Sequence, residues 1–338
     1  MKKIFCISIA IVVVISVLHG AHAAPALTKV YQWRLQAFYP PSEEKYLISL
    51  AEFPKYVDKA TNGQIKITLY PAGALVPPPE TFKSVAEGIV EMGLTVPGYH
   101  VGMMPFCAVP DGLPLSWQNP TQLREAMLDK GLANLMREEY AKHGVYFLTW
   151  QGGGPMCIDT RKELRTQADF QGVKVRSWGG WNKYFRMLGF SPVDVPLKDV
   201  YVGLSMGTFD GAFTGLAAHY SMKHYEVAKF GMKPFIIGDA VHDININLKV
   251  WNALPDDLKK KLTKAAADFN QWNTKTFYPD TDLGYEKKLS AAGLKWVEVD
   301  AATWTFMQDK AKEFWADVAA KDAVSAKAIN IMKEVLKK

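Results

Sequence analysis

The sequence predicts an α/β protein built as two lobes, on three observations. Segments of strand period and helix period alternate along the chain from Val30 onward. That alternation is the pattern of parallel sheets covered by helices. No internal repeat, low-complexity run or long linker interrupts it, so the lobes should be coupled by several chain crossings. The 338 residues, 49% of them hydrophobic, suffice for one large core or two smaller ones.

The elements follow in order. YQWRLQAF (Tyr31–Phe38) alternates as a strand. The stretch 40–63 reads as a helix, started by Ser42 with Glu43 and Glu44 in its first turn and stopped at Asn62-Gly63. Gln64–Gly73 is a second strand with Ile65, Ile67 and Leu69 on one face, broken at Pro71. Pro79 and Glu80 open a helix through Met92, and Gly93–Val96 is a short strand. A long helix is expected from Pro120 to His143, ending at Gly144, then a buried strand, VYFLTW (Val145–Trp150).

The second half repeats the style. GVKVRSW (Gly172–Trp178) is a strand, Trp181–Gly189 and Lys198–Gly207 are helices, and Phe209–Leu216 is a short strand. After Pro234 comes FIIGDAVHDININLKV. Pro255, Asp256 and Asp257 then start a long helical stretch toward Ala292. Lys295–Asp300 is the last strand, and two amphipathic helices close the chain.

The formal charge of +6 is mild, and the longest basic cluster, Lys259–Lys261, lies in an alternating-charge helical pattern. A solvated helix face explains it, so nucleic acid is not an expected partner. Lys2 and Lys3, an apolar run Ile4–Leu18 and Ala21-His22-Ala23 read as an export signal over 1–23, cleaved near Ala24. The run is about fifteen residues, short of the ~20 that span a membrane. The mature chain is therefore expected to be exported. Cys6 would leave with the leader. Cys107 and Cys157 remain, either as a disulfide or as two buried thiols.

Enzyme signatures are absent: no G-x-S-x-G, no H-E-x-x-H, no glycine loop ending in G-K-[ST]. Gly152–Gly154 follows a strand but leads into Pro155 and Met156, which suits a crossing or a close backbone approach better than a phosphate cradle. His219 and His224, five apart, do not share a helical face, and His100, His219 and His242 read as separate surface or satisfied residues. No metal site and no cofactor are expected. The pattern describes a protein that holds rather than converts.

Arg176 stands out. It lies at the carboxyl end of a short strand, where ligands of parallel sheets bind, and its guanidinium suits a carboxylate, sulfonate or phosphate. The alternative is a rim arginine paired with Asp169 or Asp194. Trp178 and Trp181, beside Gly179-Gly180, are either packing residues or a pocket wall.

Three stretches resemble one family. NGQIKITLYPAGAL (Asn62–Leu75) with AEGIVEMGLTVPG (Ala86–Gly98) resembles the first signature of the DctP-type solute-binding proteins of TRAP (tripartite ATP-independent periplasmic) transporters. ADFQGVKVRSWGGWNKYFRMLGFSPVDVPLKDVYVGLSMGTFDGA (Ala168–Ala212) resembles the second, and VWNALPDDLKKKLTKAA (Val250–Ala266) the entry of the family's long helix. The likeness covers essentially the whole chain after the leader.

The resemblance implies two α/β lobes with mixed, mostly parallel sheets, joined by hinge strands, with a long helix spanning both. Lobe I would comprise 24–150 and about 238–270, lobe II 151–237 and about 271–338. It implies a binding protein, not an enzyme, which captures an organic acid between the lobes and delivers it to small and large membrane permease subunits. Arg176 falls on the family's carboxylate-binding arginine and Asp210-Gly211 on its hinge-proximal pair. Where many members carry a second arginine this chain has Met156, and Phe213-Thr214-Gly215 stands where an asparagine is usual. Phe38, Tyr39, Tyr99, Trp150, Trp178 and Phe213 should face the cleft, and Thr214 or Gln151 should complete the carboxylate's hydrogen bonds. The expected solute is a monocarboxylate with an aromatic or apolar body, such as an aryl or indolyl acetate, pyruvate or amino acid. A small aliphatic or hydroxy acid, and service to a sensor or chemoreceptor, are the alternatives.

Overall fold

The computed structural model describes residues 29–337, so the expected leader lies outside the described residues. Eleven strands form two sheets. The first contains β1 (Tyr31–Ala37), β2 (Ile65–Tyr70), β3 (Met92–Thr95), β4 (Val145–Gly152) and β10 (Val241–Asn247), in the order β2-β1-β3-β10-β4. The second contains β5 (Met156–Thr160), β6 (Lys174–Ser177), β7 (Ser191–Asp194), β8 (Gly211–Gly215), β9 (Phe230–Lys233) and β11 (Lys295–Glu298), in the order β11-β9-β5-β8-β6-β7.

Parallel pairs join β1 to β2 and β3, β6 to β7 and β8, and β9 to β11. Every antiparallel pair involves β5 or β10. These are the two strands entered directly from the other sheet, across 153–155 and 234–240, without an intervening helix. A strand that arrives without a crossover helix is free to run antiparallel.

The helical run from Asp256 links the lobes. Asp256–Trp272 packs on β4 and on the helix Phe53–Ala60 of the first lobe. It continues through wide turns at Asn273–Asp282 into Gly284–Ala291, which packs on Leu216–Ser221 of the second. Of the closing helices, Ala301–Ala319 packs on Trp181–Leu188, while Ala323–Leu336 returns to pack on Leu132–Ala141. On this packing we propose placing 323–336 with the first lobe, which differs from the expected 271–338 block.

Two local expectations change, and one open pair of alternatives is decided. The helix expected over Pro120–His143 is two, because Gly131 turns left-handed (φ 83°) between Glu125–Asp129 and Leu132–Ala141. Ser42 does not cap the first helical run. The Glu43 carboxylate does, accepting from the backbone N–H of Lys45 (2.6 Å) and Tyr46 (3.2 Å). Cys107 and Cys157 are buried free thiols.

Candidate functional site

A cavity lies where the carboxyl ends of β1, β3, β6 and β8 converge between the lobes. Its volume is ≈ 40 Å³, counted as the space open to the centre of a water-sized sphere. The first lobe contributes Phe38 and Tyr39 just after β1, Tyr99 after β3, and His242 of β10; the second contributes Met156, Arg176, Trp178 and Thr214. An outer groove of ≈ 420 Å³ adjoins it, walled by Pro77–Pro79 on one side and Asp194–Lys198 on the other. Phe38, Tyr99, Arg176 and Leu197 line both spaces and form the boundary between them.

Arg176 is 3% exposed. Its Nε donates to the Val195 carbonyl at 2.8 Å and its Nη1 to the Phe213 carbonyl at 3.3 Å. Among the described residues no carboxylate oxygen lies within 4.0 Å of it. Asp169 instead accepts from the backbone N–H groups of Arg165 and Thr166, and Asp194 from the Asn182 amide. Burial lowers the guanidinium's pKa, opposed by Tyr99 and Asp194, but an arginine stays charged in proteins. A desolvated cation with two carbonyl partners and no counter-ion is suited by its charge to an anion.

Trp178 backs this cation, with the guanidinium carbon 5.2 Å from its ring centroid. Behind it, Phe213 is stacked at 5.2 Å and fully buried. Phe213 therefore supports the wall and does not line the cavity, whereas its neighbour Thr214 does. Trp150 and Gln151 also lie behind it. Trp150 accepts from Asn270 through its carbonyl (3.0 Å), and Gln151 donates to the Tyr39 hydroxyl (3.0 Å).

Three polar residues of the cavity were not singled out by the sequence. Tyr39 accepts from Gln151 and donates to His242 Nδ1 at 2.6 Å, which leaves Nε2–H as that ring's donor. Burial holds His242 neutral, its pKa well below the usual range, with Lys45 adding to the effect. Lys45 is buried with its Nζ 2.7 Å from Asp282 and 2.9 Å from the Gly152 carbonyl, tying the first helical turn to the hinge helix. Glu43 beside it is pushed up to about 8 by burial, against the pull of Lys45. The signal for Lys45 and Glu43 was their place just beyond a parallel strand's carboxyl end.

The glycine pair after Trp178 has a steric reason. Gly179 has φ +49°, and a Cβ there would stand 2.3 Å from the Gly98 carbonyl of the opposite lobe. Beside this contact the Trp181 indole N–H donates to Asp111 at 3.1 Å. Gly179→Ala should therefore resist closure and weaken solute binding by about 1–3 kcal/mol, from left-handed strain plus the clash. Calorimetry checks this; an unchanged affinity would show that the approach is not needed for binding.

The two histidines of the second lobe do not stay separate. The helix Leu216–Ser221 ends before His224, and Lys223 (φ +60°) turns the chain back. His219 Nδ1 then lies 3.2 Å from His224 Nδ1 and 2.9 Å from Asp159 Oδ2.

With this geometry in view, comparison with known proteins identifies the fold and family. The sequence pattern of the bacterial extracellular solute-binding protein family 7 (DctP) matches residues 37–322. The chain belongs to that family. Family and fold are those of solute-binding receptors, not enzymes. A "monocarboxylate 2-oxoacid-binding periplasmic protein" of Nostoc sp. is 27% identical over 242 residues, 71% of this chain and 66%, just under two thirds, of that relative. A TRAP transporter solute-binding protein from Bordetella bronchiseptica, solved with calcium and picolinate, superposes with a TM-score of 0.83 at 23% identity, covering 91% of this chain and 92% of that one. A Bordetella pertussis extracytoplasmic receptor binding pyroglutamic acid gives 0.83 at 17% identity, covering 90% and 100%. These two likenesses establish the two-lobed α/β fold.

Proposed function

We propose that this member of the family is the periplasmic receptor of a TRAP-type transporter and that its cleft captures a small organic monocarboxylate. The observation that carries the reading is Arg176, a buried guanidinium on the interlobe cavity with no carboxylate partner of its own. Two parallel N–H donors would grip the carboxylate, with Thr214 and Tyr99 beside it. His242 Nε2–H would meet a second oxygen, such as a 2-oxo or 2-hydroxyl group. Met156 supplies no second cation and the Lys45 ammonium is already paired with Asp282, so a dicarboxylate would bury one charge unpaired, at a cost of about 1–3 kcal/mol or more. Release to small and large membrane permease subunits is part of this reading, supported by the family's work with membrane permease components.

Size favours the smaller monocarboxylates. A water takes roughly 10–15 Å³ on the same measure, so ≈ 40 Å³ holds the volume of about three. That suits pyruvate, lactate or a short branched 2-oxo acid, the smaller of the two solute classes expected. An aryl or indolyl acid would keep its carboxylate on Arg176 and lay its ring in the outer groove, which Arg176 also lines.

A thermal-shift series separates the two. The largest rise in Tm is expected with short 2-oxo and 2-hydroxy acids, and mass spectrometry should recover such an acid from the purified protein unaltered. A response confined to phenylpyruvate or indole-3-acetate would move the solute's body to the outer groove. No response to any monocarboxylate would sink the reading.

A further inference from the structure

We propose that Cys157, Asp159, His219 and His224 form a structural zinc site beneath the floor of the solute cavity. Cys157 and Asp159 are alternate residues of β5, so both project from one face of the sheet. The helix Leu216–Ser221 lies over that face and brings His219, and the reversed turn after it brings His224. All four residues are fully buried.

Three of the four donors converge, and His224 adjoins them through His219. Cys157 Sγ is 3.3 Å from Asp159 Oδ1, Asp159 Oδ2 is 2.9 Å from His219 Nδ1, and His219 Nδ1 is 3.2 Å from His224 Nδ1. The donor atoms of Cys157, Asp159 and His219 all lie within 4.8 Å of one another. Zinc bonds of about 2.0–2.3 Å set ligand separations of roughly 3.3–3.6 Å in a tetrahedron. The three separations of 3.3, 2.9 and 3.2 Å, the first two to different oxygens of Asp159, lie at or just below that range.

Proton accounting points the same way. His219 Nε2 faces the Cys157 carbonyl at 3.4 Å, a contact that requires Nε2 to carry the hydrogen. A backbone carbonyl holding the outer ring nitrogen is the usual support of a metal-bound histidine. In the neutral ring that zinc binding would require, Nδ1 would present a lone pair toward a carboxylate oxygen and a second imidazole nitrogen. Asp159 Oδ2, buried and only 2.9 Å away, has no hydrogen-bond donor of acceptable geometry. A proton on His219 Nδ1 would pair that ring with Asp159 Oδ2 while the Cys157 thiol donates to Oδ1, an arrangement that still leaves His224 Nε2 without a partner.

Zinc satisfies all four. One thiolate, one carboxylate, two neutral imidazoles and Zn²⁺ sum to zero charge, which suits a site without solvent. Loading would convert Cys–SH and Zn²⁺ to Cys–S–Zn and release one proton. The metal would pin β5 to the helix carrying Ala217 and Ala218. Those alanines line the solute cavity, as do Met156 and Thr214 on the strands below. With no solvent path, the ion would enter during folding and leave only on unfolding.

The test uses the full processed chain. Protein made in zinc-supplemented medium and dialysed against a chelator should retain close to one zinc per chain by elemental mass spectrometry. Refolding with Co²⁺ should give the intense visible bands of a four-coordinate site with a thiolate-to-cobalt charge-transfer band in the near ultraviolet. Cys157→Ser should lose the charge-transfer band while solute binding reports that the chain has folded. Absence of both retained zinc and a cobalt spectrum in wild-type protein would overturn the proposal. So would zinc retained undiminished by folded Cys157→Ser and His224→Phe variants, since the ion would then sit elsewhere.

Discussion

Arg176→Ala is expected to weaken solute binding by about 2–5 kcal/mol, enough to put the complex beyond ordinary calorimetry. The loss exceeds the value of two hydrogen bonds because closure would strand the solute's carboxylate in a dry cavity without its counter-charge. Arg176→Lys should recover only part of it. A lysine restores a point charge but has no planar fork, and it cannot keep the Nε bond to Val195 while presenting two parallel donors. Folding should survive both changes, because the strand pairings of β6 are backbone bonds. Calorimetry with the best acid of the thermal-shift series decides it. Affinity within a factor of a few of wild type for Arg176→Ala would mean that the carboxylate lies elsewhere.

Lys45→Met should cost about 3–5 kcal/mol of stability at neutral pH, measured by urea unfolding. Lys45 is the buried counter-ion of Asp282, at 2.7 Å, with Glu43 and Asp239 close by. Burial already raises Asp282 above the usual carboxylate range, and Lys45 is what opposes it. Without Lys45 the folded-state pKa of Asp282 rises further, so the folded chain binds a proton that the unfolded chain gives up. Stability is then retained at low pH and lost as pH rises through that folded value. The penalty of Lys45→Met should therefore be small near pH 5 and large near pH 8. A penalty independent of pH would mean that lost packing, not the exposed charge, is responsible. Adding Asp282→Asn should recover most of the loss at high pH.

Much of this molecule could be read from its residues, and the failures share a cause. Strand and helix periods located the elements because they are local properties. Arg176 was legible because a short strand, two glycines and two tryptophans frame it within ten residues. Phe213 and Thr214 illustrate the first limit. Successive strand residues face opposite ways, and nothing local says which face of β8 meets the cavity. Thr214 lines it and Phe213 sits behind Trp178. Lys45 and His242 illustrate the second, since their partners lie 237 and 203 positions away, at Asp282 and Tyr39. His219 and His224 illustrate a third. Five-residue spacing separates side chains only along an unbroken helix, and this one ends between them.

On the proposed function, the lone charge of Arg176 would also turn lobe closure into a report on cargo. A guanidinium drawn out of water loses several kcal/mol of hydration unless an anion meets it. Shutting the cleft over a carboxylate neutralises that charge; shutting it over water or a neutral analogue does not. A membrane partner that recognises the closed outline would thereby inspect the cargo's charge without touching it. Uncharged look-alikes would be turned away by their failure to hold the receptor shut.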